Sequence, residues 1–217
     1  MTRYVMVADL RRCVGCQTCT AACKLTNATP PGIQWRRVLD LESGEYPDVR
    51  RTFVPVSCMH CGDPPCLEVC PTEATFKRDD GLVRIDPDLC IGCAYCAVAC
   101  PYQQRHIVKR REFAYGLRAT AAEDLRFDPR SIAVSTKCTF CSDRVDQAAS
   151  LGLMPGVDPE VTPACVNSCI AGALHFGDRH DPDSNVSRLL AHSVHFRMHE
   201  ELNTDPGFYY IVEERPS

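Results

Sequence analysis

Cys90, Cys93 and Cys96 stand three residues apart, and Cys100 follows four residues later with Pro101 directly behind it. Three thiolates on so tight a loop can grip three irons of one cubane, while a fourth, one helical turn on, points elsewhere and ligates the other cluster of a pair. The stretch therefore predicts a second cysteine group that takes Cys100 and returns a ligand. The chain supplies three more groups. Cys13, Cys16, Cys19 and Cys23 repeat the same spacing; Cys58, Cys61, Cys66 and Cys70 have a middle interval longer by two; and Cys138, Cys141, Cys165 and Cys169 have that middle expanded further.

Other uses of sixteen cysteines fit less well. A disulfide framework suits a secreted chain, yet no signal-peptide apolar region follows Met1, and Thr2-Arg3-Tyr4 leads straight into a strand-like run. Structural zinc sites combine two separated cysteine pairs, often with histidine. Four in succession with a trailing proline belongs to iron–sulfur ligation, where soft thiolates hold a cubane that takes one electron with little rearrangement. The formal charge of −4 would become about −12 with four oxidised cubanes at roughly −2 each, a balance unsuited to nucleic acid. No run of about 18 apolar residues exists, so direct membrane insertion is not expected.

The elements that must position these cysteines are short. Tyr4–Asp9 reads as a strand covered on both faces. Ile33–Val56 reads as a hairpin turning at Glu42-Ser43-Gly44-Glu45, made basic by Arg36, Arg37, Arg50 and Arg51; that side is expected to be a solvated face, a docking surface, or a field acting on the anionic clusters. Ala74–Lys77 and Leu82–Asp86 predict a second hairpin. Residues 102–130 form a long insertion with basic content (Arg105, His106, Lys109, Arg110, Arg111). Ile132–Ser135 is expected as a strand, and Ser142–Leu151 as a helix capped by Ser142 and ended by Gly152. The tail carries a short amphipathic helix near Val186, Leu189 and Leu190, then the extended Phe208–Val212, and is expected to pack over the cluster units or reach onto a partner.

Position by position, the first group aligns with the third: Asp9 with Asp86, Gly15 with Gly92, Ala22 with Ala99. The fourth matches the second. The fold class expected is therefore α+β: two bacterial-type 2[4Fe–4S] ferredoxin-like units related by internal duplication, with long loop insertions. Residues 53–101 make the central unit and residues 1–24 plus 131–178 the outer one; 25–52 and 102–130 are insertions, and 179–217 the tail. Swapping the distal cysteine within each unit gives four sets. Cys13, Cys16 and Cys19 join Cys169; Cys138, Cys141 and Cys165 join Cys23; Cys58, Cys61 and Cys66 join Cys100; Cys90, Cys93 and Cys96 join Cys70. No ligand position is replaced by another residue type, so four [4Fe–4S] clusters and no three-iron site are expected.

Glycines 15, 62 and 92 are expected to turn backbone N–H groups toward the clusters, and Ile91, Val98, Leu89 and Phe140 to exclude water from them. His60 lies between two ligands that are both cysteines, so it reads as a neighbour of the cluster or a surface group rather than a ligand. His106, His175, His180, His192, His195 and His199 read as surface residues. No nucleophile–base constellation or phosphate loop appears; the chain is expected to conduct electrons and to catalyse nothing alone.

Taken together with Lys137–Arg144 and Pro163–Cys169, the four groups closely resemble the iron–sulfur (beta, electron-transfer) subunits of the dimethyl sulfoxide reductase superfamily. Their relatives serve polysulfide, thiosulfate, tetrathionate, sulfite, arsenate and phenylacetyl-CoA oxidoreductases. The resemblance extends to Phe176-Gly177-Asp178 and Tyr209-Tyr210. It implies two partners: a catalytic subunit with a molybdenum or tungsten bis-pterin cofactor, and an integral membrane subunit that reacts with quinone. It also implies that the Cys13/Cys169 cluster lies nearest the former and the Cys90/Cys70 cluster nearest the latter. A relay subunit of a formate dehydrogenase or hydrogenase, and a free polyferredoxin, are the rival readings. Peripheral attachment to a membrane through a partner is expected, on the cytoplasmic face in the absence of a signal peptide, or exported alongside the catalytic subunit.

Overall fold

The computed structural model describes residues 1–213 of the chain. It is a mixed helix-and-strand fold in which short elements carry most of the cysteines. The first strand, β1 (Tyr4–Asp9), is buried from Val5 onward. Helix α1 (Thr18–Thr26) follows, then the hairpin β2 (Arg37–Ser43) and β3 (Arg50–Val56). Helix α2 (Pro65–Glu68), strands β4 (Thr75–Lys77) and β5 (Val83–Ile85), and helix α3 (Tyr95–Ala99) come next. Strand β6 (His106–Ile107), helix α4 (Ala121–Arg126), strand β7 (Ser135–Thr136) and helices α5 (Ser142–Val145), α6 (Ala148–Leu151) and α7 (Ala164–Asn167) lead to the last third. Strand β8 (Leu174–Asp178), helix α8 (Asn185–Ala191), and strands β9 (His195–Phe196) and β10 (Phe208–Ile211) complete it.

The largest sheet has the order β8-β1-β10-β9. β1 pairs antiparallel with β8 and parallel with β10, so the tail supplies an interior strand. Alternation along β1 serves two cores. Val5 and Val7 pack with Val186, Leu190 and Ile211 beneath α8. Met6 and Ala8 face the main core, with Phe140, Phe176, Phe208, Tyr210 and several cysteines. Covering on both faces accounts for the unbroken apolar run that the sequence showed.

Two hairpins form as expected, although Glu42 and Ser43 are still paired with Arg51 and Arg50, so the first turn begins later. Two expectations are corrected. Ile132–Ser135 is not a strand: a 3₁₀ turn over Pro129–Ser131 bonds to Ile132, and Ala133 adopts a left-handed φ of 61°, so pairing begins only at Ser135. The helix expected over Ser142–Leu151 is interrupted at Asp146-Gln147. Its N-terminal cap is Cys141 in a left-handed conformation, while Ser142 is buried and accepts a hydrogen bond from Arg84. Gly152 does end α6, with φ 65°.

Candidate iron–sulfur centres

The cysteine loops turn on backbone that only particular residues hold easily. Gly15 and Gly92 have φ of 69° and 67°. A Cβ on Gly92 would lie 2.0 Å from the Ala133 carbonyl oxygen, which ties this loop against the segment before β7. Gly62 departs from expectation. Its N–H donates to the Asp205 carbonyl at 2.6 Å and so is not offered to a cluster.

Three of the four expected cysteine sets each line one cavity. Cys58, Cys61, Cys66 and Cys100 line one together with Met59, Val83 and Arg105. Cys13, Cys16, Cys19 and Cys169 line a second. Cys70, Cys90, Cys93 and Cys96 line a third. The other four, Cys23, Cys138, Cys141 and Cys165, are all buried. After burial itself, the nearness of Cys138, Cys165 and Cys141 is what drives the Cys23 thiol upward. Helix α1, which carries Cys19 and Cys23, packs on α7, which carries Cys165.

These sulfurs line walls rather than converge: among the described residues no three Cys, His, Asp or Glu side chains could hold a single ion. Four soft donors around an otherwise mostly apolar cavity suit a cubane. Burial pushes the Cys138 thiol up to about 11 and those of Cys61 and Cys141 up to about 12. Such thiols stay protonated in the iron-free chain, so loading them with iron releases protons. At the rim, Cys16 is exposed and its pKa is lowered, chiefly by the Thr18 hydroxyl.

Neighbouring sets act on one another electrostatically. Cys19 feels Cys165 of the next set, Cys138 feels Cys58 of the third, and Arg105 feels both Cys66 of the third set and Cys96 of the fourth. Exposed cysteines occur only in the two end sets, as Cys16 and Cys93.

Several neighbours differ from the sequence reading. Of the two readings of His60, the surface one is excluded: it is buried, its Nδ1 accepts from the Val83 N–H at 3.0 Å, and its ring stacks on Phe140 at 3.8 Å. That acceptor role leaves Nε2 to carry the proton and donate to the Cys138 carbonyl at 3.0 Å. Burial, reinforced by Lys137, holds its pKa well below the usual histidine value, so the ring is neutral. His106 and His175 are half-buried rather than surface residues. Phe140 is sealed as expected, and Ile91 lines the cavity of Cys70, Cys90, Cys93 and Cys96 although it is 66% exposed, whereas Leu89 and Val98 are 52% and 87% exposed.

Arg36 overturns the solvated reading of the hairpin for its own position. It is 1% exposed, with Nη2 on Met6 Sδ and 3.7 Å from Cys165 Sγ. Arg105, read as part of a basic insertion, is buried and donates to Cys66 Sγ at 2.8 Å and Thr75 Oγ1 at 3.1 Å. Lys137 is buried too, donating to the Val83 and Cys138 carbonyls. Only their place close to ligand cysteines in the sequence (Lys137 beside Cys138, Arg105 five after Cys100) could have marked the last two.

A 4Fe-4S dicluster domain family matches residues 49–115, and a second 4Fe-4S dicluster domain family matches residues 12–74. The second match joins the first two cysteine groups in chain order, whereas in space Cys169 shares the cavity of the first. A selenate reductase subunit of Mesobacillus selenatarsenatis is 38% identical over 97% of this chain and 72% of its own length. A putative dimethyl sulfoxide reductase iron-sulfur subunit of Halobacterium salinarum is 42% identical over 99% and 80%, and a tetrathionate reductase subunit of Salmonella typhimurium 37% over 96% and 72%. Two dicluster matches and sixteen cysteines correspond to four [4Fe–4S] clusters. The chain thus belongs to the iron–sulfur subunits of the dimethyl sulfoxide reductase family, as the electron-transfer subunit, not the catalytic one, of a multisubunit oxidoreductase.

Proposed function

We propose that this subunit passes electrons one at a time along a row of four clusters between a molybdenum or tungsten bis-pterin catalytic subunit and a quinone-reactive membrane subunit. The ligand sets are Cys13, Cys16, Cys19 and Cys169; Cys23, Cys138, Cys141 and Cys165; Cys58, Cys61, Cys66 and Cys100; and Cys70, Cys90, Cys93 and Cys96. The observation that carries this reading is the exchange of distal cysteines. Cys169, Cys100 and Cys70 each line a cavity with three cysteines of a distant group, as two duplicated ferredoxin-like units require. The clusters supply reversible one-electron chemistry. The chain holds them in sequence, seals the middle of the row and leaves its ends near the surface.

The end sets are the natural contact points for partners. Beside Cys13, Arg11, Arg50 and Arg51 line one open surface cleft. Around Cys93 lie the exposed Leu89, Ile91, Tyr95 and Val98, a patch suited to burial against an apolar partner. No helix among the described residues is long and apolar enough to cross a membrane, so in this reading the quinone and its site belong to the partner. The Cys13/Cys169 end faces the catalytic subunit and the Cys90/Cys70 end faces the membrane subunit, as the family resemblance implies. The test is Cys93→Ser in the assembled complex. Reduction of substrate by artificial donors should persist and quinone-linked turnover should be lost; intact quinone-linked turnover would refute the placement. A purified subunit with far fewer than about sixteen irons, lacking broad absorption near 400 nm, would refute the cluster reading itself.

A further inference from the structure

Three buried cations sit where one cysteine set meets the next. Arg36, Lys137 and Arg105 are 1%, 2% and 6% exposed. Arg36 touches Cys165 Sγ and lies under the coulombic influence of Cys138 and Cys23 of that set and of Cys19 of the first. Lys137 donates to the Cys138 carbonyl and lies under that of Cys58 and Cys66. Arg105 donates to Cys66 Sγ, lines that set's cavity and lies under that of Cys96. None of the three has a carboxylate partner among the described residues, and Arg36 Nε and Nη1 have no hydrogen-bond partner there at all. A buried guanidinium so placed is costly unless anions offset it, and the anions within reach are the cysteine sulfurs.

We propose that each junction of the relay carries one fixed positive charge shared by the two clusters that flank it: Arg36 between the first and second, Lys137 between the second and third, Arg105 between the third and fourth. The inference rests on the four ligand sets proposed above. An electron arriving on a cluster adds negative charge beside neighbours that are already anionic. A cation shared between two clusters stabilises the reduced form of both, raises both potentials, and weakens the repulsion that a reduced cluster exerts on the next. Packing alone does not account for these side chains, because an apolar residue would fill each space without burying a charge.

The test is electron paramagnetic resonance redox titration of the assembled complex, with each signal assigned through the Cys→Ser variant that removes it. Arg36→Met should lower the midpoint potentials of the Cys13 and Cys138 clusters and leave those of the Cys58 and Cys90 clusters in place. Arg105→Met should do the converse, and Lys137→Met should lower the middle two. Arg36→Lys, which keeps the charge, should hold potentials close to the wild-type values. Unchanged potentials in Arg36→Met with full iron content would overturn the proposal, as would equal movement of all four. Should Arg36→Met lose clusters, their retention in Arg36→Lys supports the role of charge, and their loss in both overturns it. Failure of the ligand sets is distinguishable, since the wild-type protein itself would then lack four titrating clusters.

Discussion

The two cysteine units proposed above are built from chain in opposite ways. In the central one, both groups and the hairpin between them (β4 and β5) come from one continuous stretch, closed by Cys58 and Cys100 across a single cavity. In the outer one, Cys13 must meet Cys169, and Cys23 must meet Cys138 and Cys165. That meeting depends on β1 lying between β8 and β10, which are remote in sequence. Their cations differ as well. Arg105 at the central unit, and Lys137 where the two meet, find oxygen partners on Thr75, Val83 and Cys138, whereas Arg36 at the outer unit has only sulfur among its hydrogen-bond contacts and stacks over Phe208 at 5.1 Å. The same cofactor chemistry is thus served by a local scaffold in one place and by a long-range one in the other, and the second depends far more on the rest of the fold.

The largest effect that would break this contrast comes from ending the chain at Gly207. Removing β10 strips β1 of its parallel partner and takes Phe208 and Tyr210 from the core. The outer unit should lose its clusters while the central one keeps its own, so that iron falls by about half. Full iron content, or none, would mean the two units do not differ as described. Next in size, Cys61→Ser should lower the thermal midpoint by several degrees more than Cys16→Ser, because Cys61 is buried and Cys16 lies at the rim; equal losses would erase the distinction between sealed and open sites.

A smaller effect is expected at the seam between the units. His60→Ala removes both the Val83 N–H acceptor and the donor to Cys138, at a cost of about 2–4 kcal/mol. Denaturant unfolding of the holo subunit should show it, and a change below about 1 kcal/mol would mean that the ring does not hold the units together. The smallest belongs to the peripheral helix α4. Thr120→Ala breaks its capping box with Glu123 and should cost about 1 kcal/mol locally. Cluster spectra should not change; any shift would give α4 a connection to the relay.

Cysteine spacing made much of this legible. Each group falls on the loop-plus-helical-turn that its intervals call for, and both hairpins follow from alternation and turn residues. What spacing could not convey is what happens between elements far apart in the chain. Phe208–Ile211 reads as extended, but nothing local reveals that its neighbour is Tyr4–Asp9 and that they run parallel. Arg36 sits one residue before β2 begins, so strand alternation gives no direction for its side chain. His60 is flanked by ligands, and only the approach of Val83 and Cys138 decides that it is interior. Leu89 and Val98 read as shielding residues because apolarity alone does not tell a buried side chain from an exposed one.

The parallel pairing of β1 with β10 also bears on how the protein is made. Chains emerge from the ribosome N-terminus first and fold as segments become available. Everything that surrounds the Cys58 cavity, through Arg105, has been made before the chain reaches Cys169. The Cys13 cavity must wait for Cys169, and the sheet behind it for Phe208. The order of synthesis therefore lets the walls of the Cys58 cavity meet first, those of the Cys90 cavity once Ser135 has been made, and those of the Cys13 cavity last.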